Sequence, residues 1–120
     1  MKTDSIYKEE IMEIYSEKPN FGKLEGKTHE AKLKNPGCED EFKVELQVEG
    51  GKIKDAKFTG KGCVISTVST AILTEKIKGM RLSDAQRMSK KDMDKFLGME
   101  VIPTRMKCEL LGLEILKRVK

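Results

Sequence analysis

Tryptophan is absent from this 120-residue chain, and its aromatic residues stop at four Phe and two Tyr. The core must therefore be assembled from Ile, Leu, Val and Met. No apolar run comes near the ~20 residues that a membrane-spanning helix requires. The charged opening Met1–Tyr15 also lacks the apolar stretch of an export signal. A cytoplasmic protein with no membrane contact is expected. Charge of one sign is missing in block form as well. Basic residues number 24 and acidic residues 20, a net +4, but Lys and Glu are interleaved along the chain. A nucleic-acid binder shows a concentrated basic stripe with Arg or aromatic readers, so no nucleic acid is expected as a partner. Histidine occurs once, as His29, far in sequence from any cysteine, and reads as a surface residue. The three cysteines form no Cys-x-x-Cys pair and cannot all pair with one another. In a reducing compartment such a trio is buried filler, a reactive thiol or a metal site.

Apolar residues make up 38% of the chain against 37% charged, enough to form a core and escape disorder. The length fits one domain, residues 1–120. Thr3–Tyr15 reads as a helix, with Ile6, Ile11, Met12, Ile14 and Tyr15 on an apolar stripe. Lys18-Pro19-Asn20-Phe21-Gly22 ends it, because Pro19 disfavours helix at the residue before it. Thr28–Lys34 is a strand candidate. Phe42, Val44, Leu46 and Val48 alternate with charged and polar residues, the period of a half-buried antiparallel strand. Gly50-Gly51 is a hairpin turn, and Lys52–Thr59 is the return strand, with a bulge implied by the change of parity between Ile53 and Ala56.

After Gly60-Lys61-Gly62-Cys63 the period becomes helical, with Val64, Val68, Ala71 and Ile72 on one face and an end at Lys78-Gly79. Ser83 with Gln86, and Ser89 with Asp92, fit the capping-box pattern and predict two short helices. Thr104–Val119 is the last helix, apolar on two sides and so packed between layers. A helix, three strands and then helices indicate an α+β fold, a three-stranded antiparallel sheet with helices packed on one face.

All three cysteines fall at the ends of elements. Cys38 lies in the turn Asn35-Pro36-Gly37-Cys38-Glu39-Asp40, Cys63 where a strand passes into a helix, and Cys108 near the start of the last helix. A helix N-terminus favours thiolate, and Arg105 and Lys107 add positive charge beside Cys108. Thiolates are ligands for zinc, iron and iron–sulfur centres, and the carboxylate of Asp40 could complete a tetrahedral set. The spacing alone leaves a buried, unliganded trio open.

At these residues the sequence resembles the IscU/NifU N-terminal scaffold family, with SufU as a close relative. Pro36-Gly37-Cys38-Glu39-Asp40 is similar to the family's cysteine–glycine–aspartate turn, with Glu39 where glycine is usual. Ile53–Cys63, ending Thr59-Gly60-Lys61-Gly62-Cys63, resembles the second-cysteine motif, and Leu73-Thr74-Glu75-Lys76-Ile77-Lys78-Gly79 the helix end that follows it. Lys107-Cys108 with Leu110 and Leu111 is similar to the third-cysteine helix, and Asn20-Phe21-Gly22 to the N-terminal turn. The resemblance spans essentially the whole chain. It implies a scaffold that is not itself an enzyme. Such a scaffold takes sulfur from a cysteine desulfurase and iron from a donor. It builds a transient 2Fe–2S cluster on Cys38, Cys63 and Cys108 and passes it to apo iron–sulfur proteins. The resemblance also implies Asp40 as a tuning ligand, zinc as an alternative occupant of the same four residues, and a homodimer as one form of the cluster-bound state. Two features depart from the scaffold pattern. Lys107 stands where scaffolds usually have histidine, as in the SufU branch of zinc-bound sulfur acceptors. In that branch's chemistry Cys108 would be the sulfur acceptor and Lys107 its electrostatic support. The insertion of that branch is missing between Gly79 and Arg105, however, and the family's chaperone motif is reduced to Val101-Ile102-Pro103-Thr104-Arg105, so no dedicated chaperone is expected.

Overall fold

The alternating segments pair as one sheet. A computed structural model, which describes residues 2–35 and 39–120 (the side chains of residues 2–8 excepted), places β1 at His29–Lys34, β2 at Glu41–Glu49 and β3 at Lys52–Lys61. The order is β1-β2-β3, antiparallel throughout, from His29↔Leu46 to Lys34↔Glu41 and from Glu41↔Lys61 to Glu49↔Lys52. Gly50 and Gly51 take φ of 59° and 79°, the signature of the primed hairpin turn. The expected bulge is present: Val48 faces Ile53 while Gln47 faces Asp55, so Lys54 is the extra residue. This insertion lets Ile53 and Ala56 share one face with Phe42, Val44, Leu46 and Phe58, all of them buried.

Among the described residues five α-helices follow the sequence reading closely: α1 Lys2–Glu17, α2 Val64–Lys76, α3 Leu82–Gln86, α4 Lys90–Leu97 and α5 Met106–Lys117, the last preceded by a 3-10 turn at Pro103–Arg105. Helix α5 lies over β1 and β2, and α2 packs beside it and against β3. Leu111, Leu113, Ile115 and Leu116 join the sheet's inner face in the main core, which is what an all-round apolar helix requires. Helix α2 is buried further round than its apolar residues indicated, through Ser66, Thr67, Ser69, Thr70 and Thr74. Thr70 and Thr74 satisfy their hydroxyls on the backbone carbonyls of Ser66 (2.8 Å) and Ala71 (2.8 Å). The α2–α5 approach is close: a Cβ on Gly112 would stand 2.9 Å from Thr70 Oγ1.

The turn after α1 ties the helical layer to the sheet. Asn20 holds φ of 69° and donates to Thr74 Oγ1 (3.3 Å) and Glu75 Oε1 (3.1 Å), while Lys78 Nζ donates to it at 2.6 Å. Its carbonyl accepts the Phe58 N–H at 3.0 Å, so the turn also covers the edge of β3. Two details differ from the sequence reading. Ser83 lies inside α3, whose N-cap is Arg81, and Gln86 instead donates to the carbonyls of Leu116 and Val119 at the end of α5. Burial of Glu45 on the outward face of β2 was not anticipated; it accepts Leu24 N–H (2.9 Å) and Lys27 Nζ (2.8 Å). The cap at Ser89 forms as expected, with Ser89 N–H donating to Asp92 at 2.8 Å. No helix among the described residues is long and apolar enough to cross a membrane.

Gly60 is the point where β3 crowds β2 most. Its φ is 131°, and a Cβ there would lie 2.1 Å from the Glu41 carbonyl oxygen and 2.8 Å from Phe42 Cα. Gly60→Ala should therefore destabilise the fold by about 2 kcal/mol or more, from backbone strain and a contact that only the backbone can relieve. Urea unfolding measures it, and an unchanged midpoint would contradict the close approach.

Candidate metal centre

The end of the β1–β2 connection and the start of α2 meet through a carboxylate. Asp40 is 2% exposed, and its carbonyl accepts the Asn35 N–H at 2.9 Å, closing the connection. Its Oδ1 accepts the backbone N–H of Cys63 at 2.9 Å. Gly62 makes this approach feasible, since a Cβ there would come within 2.5 Å of Ser66 Oγ, 2.7 Å of Asp40 Oδ1 and 2.9 Å of the Phe42 ring. Cys63 is itself the N-cap of α2, with its sulfur accepting the Ser66 N–H at 3.4 Å. A thiol thus occupies the place that Ser, Thr or Asp usually fills.

The third side chain arrives on α5. Cys108 is buried in the first turn, and Asn35 Nδ2 donates to the Lys107 carbonyl at 3.4 Å, fastening that turn to the end of β1. One ligand atom each from Asp40, Cys63 and Cys108 all lie within 4.8 Å of one another. Ligand atoms of one tetrahedral zinc with sulfur bonds of about 2.3 Å stand about 3.8 Å apart, so a small contraction would close the set on an ion. Two soft thiols and one carboxylate suit zinc or iron–sulfur chemistry better than calcium or magnesium. Three of the residues singled out in the sequence are therefore together. Cys38, the fourth, lies outside the described residues. Lys107 is exposed and His29 stands half-buried on β1, bonded to Thr28 Oγ1 at 2.7 Å.

The side chains set opposite tendencies for the two thiols. Burial opposes charge on Cys63, but the Ser66 hydroxyl, the Ser66 N–H and the Cys108 thiol more than offset it, and the Cys63 thiol is held below its ordinary value. Burial pushes Cys108 up to about 12, reinforced by Cys63 and then by Asp40. The expectation that Cys108 favours thiolate is thereby reversed. The 3-10 turn sets Cys108 back from the free end of the helical segment, and Lys107 holds its charge in solvent. Ser66 was not picked out from the sequence, although its position three residues after the N-cap is the standard capping distance.

The family model described as "NifU-like N terminal domain" matches residues 6–119. The iron–sulfur cluster assembly scaffold protein IscU of Thermotoga maritima is 34% identical over 128 residues, covering 93% of this chain and 90% of that protein. The zinc-dependent sulfurtransferase SufU of Bacillus subtilis is 30% identical, covering 96% of this chain and 89% of that protein. Among solved structures, a candidate cluster assembly scaffold for the SUF system from Fervidobacterium islandicum superposes with a TM-score of 0.72 at 29% identity, covering 89% of this chain and 90% of that one. The N-terminal part of a NifU-like protein from Brucella abortus, at 19% identity and a TM-score of 0.77, covers 95% of this chain and 91% of that one and shares the fold.

The asymmetry between the thiols has a direct readout. In chelator-stripped protein carrying Cys38→Ser, Cys63 should be alkylated by iodoacetamide with a midpoint below that of a free thiol, and Cys108 should stay unreactive up to about pH 10. Peptide mass mapping across a pH series distinguishes them. Cys108 reacting first would overturn the assignment.

Proposed function

Since this chain belongs to the NifU-like N-terminal domain family, we propose that it works as an iron–sulfur cluster assembly scaffold, with residues 1–120 acting as one domain. The observation that carries this reading is the convergence of Asp40, Cys63 and Cys108, from three separate elements, to within 4.8 Å. Cys38 joins them as the remaining thiolate. The cargo is a 2Fe–2S cluster made from iron and from sulfur supplied by a cysteine desulfurase, and it leaves for apo iron–sulfur proteins. The chain's own part is to hold three sulfurs and one oxygen in place, without turnover. Asp40 is suited to release: a hard carboxylate is a weak partner for a soft cluster and gives an incoming thiol a point of entry. Access is available through an open hollow lined by Glu39, Asp40, Lys61, Gly62 and Cys63. A cytoplasmic setting and a cluster-bridged homodimer go with this reading, since thiolate ligands need a reducing compartment.

A second reading is favoured by Lys107 and by the similarity to SufU. In it, the same four residues hold zinc, and Cys108 accepts sulfur; the bound zinc, and not the exposed Lys107, would hold that buried thiol as thiolate. A thiolate attacks the outer sulfur of the desulfurase persulfide. The new S–S bond forms as the desulfurase's own breaks, and the desulfurase cysteine leaves as thiolate.

Anaerobic reconstitution with iron, cysteine and a desulfurase separates the two. Visible cluster absorbance supports the scaffold; a colourless protein with about one zinc per chain that accelerates the desulfurase supports sulfur transfer. Under the scaffold reading, Asp40→Ala should lengthen the life of the reconstituted cluster in air. Faster decay than the parent would remove Asp40 from that role. Metal retained at parental affinity in a Cys38→Ala, Cys63→Ala double variant would end both readings.

A further inference from the structure

One cluster of charged groups that the metal centre leaves unused lies between α4 and the first turn of α5. Glu109, the residue after Cys108, is 0% exposed, and neither of its carboxylate oxygens has a hydrogen-bond donor among the described residues. Lys90 Nζ stands 3.7 Å from its Oε1, and the carboxyl of Asp94 faces it. Lys90 and Asp94, one turn apart on α4, are paired at 2.8 Å. Asp94 also gathers the connection that leads to α5. Its carbonyl accepts the Met99 N–H at 3.1 Å, and its Oδ1 accepts the Val101 N–H at 3.4 Å. Val101 and Leu97 are then buried with Ile11 and Val68.

A buried carboxyl group that faces a second carboxyl is a poor source of stability. Replacing one by an apolar side chain of similar volume is often neutral or stabilising, because the desolvation of the charges offsets their attraction. Placement is what it offers, since opposed polar groups admit few arrangements where apolar ones admit many. Metal ligands need that control to within about 0.5 Å. Cys108 is the ligand that needs it here, being carried by a helix that other ligands do not share. We propose that Glu109 and Asp94 are positioning residues of the metal centre, locking the first turn of α5 to α4 and so fixing where Cys108 presents its sulfur to Cys63 and Asp40. This rests on the reading of Asp40, Cys63 and Cys108 as metal ligands.

Cobalt(II) is the probe, because its d–d bands report ligand geometry and its sulfur-to-metal band reports thiolate ligation. Glu109→Leu should bind cobalt(II) about tenfold more weakly, the scale of loss seen for outer-shell partners of metal ligands. Its d–d bands should shift, while its unfolding midpoint stays level or rises. Glu109→Gln, whose amide can donate to Asp94, should keep the parental spectrum and affinity. If Glu109→Leu does not yield folded protein, Asp94→Ala, at a side chain 19% exposed, is read in the same way. Parental spectrum and affinity in Glu109→Leu or Asp94→Ala would overturn the proposal. So would a loss in Glu109→Gln as large as in Glu109→Leu, which would make the effect one of charge and not of placement. A parent protein without a sulfur-to-cobalt band would instead overturn the metal-centre reading itself, a result visible before any variant is compared.

Discussion

One hydrogen bond joins the two halves of this molecule at the place where its chemistry converges: the Asp40 carboxylate accepting the Cys63 N–H at 2.9 Å. It satisfies a donor at the start of α2 that no helical carbonyl can reach, and it joins a carboxylate and a thiol that flank the paired residues Glu41 and Lys61 at the open end of the β2–β3 hairpin. The bond requires a backbone approach that side chains would block, and Gly62 and Gly60 supply it, each with less than 3 Å of room for a Cβ. The glycines of Gly60-Lys61-Gly62-Cys63 therefore have two different duties. Gly60 takes a conformation that L-residues avoid, and Gly62 leaves space between Ser66, Phe42 and Asp40.

Bringing Cys108 into range of Asp40 and Cys63 is a packing problem. Helix α5 must lie near α2, and bulky aliphatic residues at their contact would hold the axes apart. The contact is made by Gly112 against Thr70, and the polar cost is reduced because Thr70 and Thr74 return their hydroxyls to carbonyls of α2 itself. The hydroxyl-rich stretch Ser66-Thr67-Val68-Ser69-Thr70 thus belongs to the interior, and its composition reflects the closeness of two helices more than contact with water. Asn35 completes the arrangement from the sheet side through its hydrogen bond to the Lys107 carbonyl.

Local features were the legible ones. Two adjacent glycines between alternating strands announce the hairpin, and the parity change between Ile53 and Ala56 announces the bulge, because both depend on a handful of neighbouring residues. The placement of the cysteines at element ends was legible for the same reason. Properties set by distant chain segments were not. Glu45 sits in an outward, polar position of β2 and would face water, had the segment carrying Leu24 and Lys27 not crossed over it. Ser83 and Gln86 carry a capping pattern, but the end of α5 draws Gln86 away. Glu109 follows a cysteine in a helix that reads as apolar on two sides, and only the fold reveals that Lys90 and Asp94 lie beside it. The resemblance singled out Asp40, Cys63 and Cys108, which the fold brings within 4.8 Å, without indicating how differently the two thiols are placed.

That difference follows from gathering negative charge in a small, half-dry volume. A carboxylate and two thiolates within 4.8 Å would repel one another strongly. The fold relieves the repulsion by treating the two sulfurs unequally. Cys63 stands at the mouth of α2 where Ser66 donates to it, so it is the one that can carry charge, and Cys108 in its buried turn keeps a proton and lends it to Cys63 as a hydrogen bond. A soft divalent cation bound there would replace that proton with two positive charges and turn mutual repulsion into shared attraction. The same burial that makes Cys108 a reluctant thiolate on its own would make it a strong ligand once a metal took the proton's place, because it limits the access of competing water.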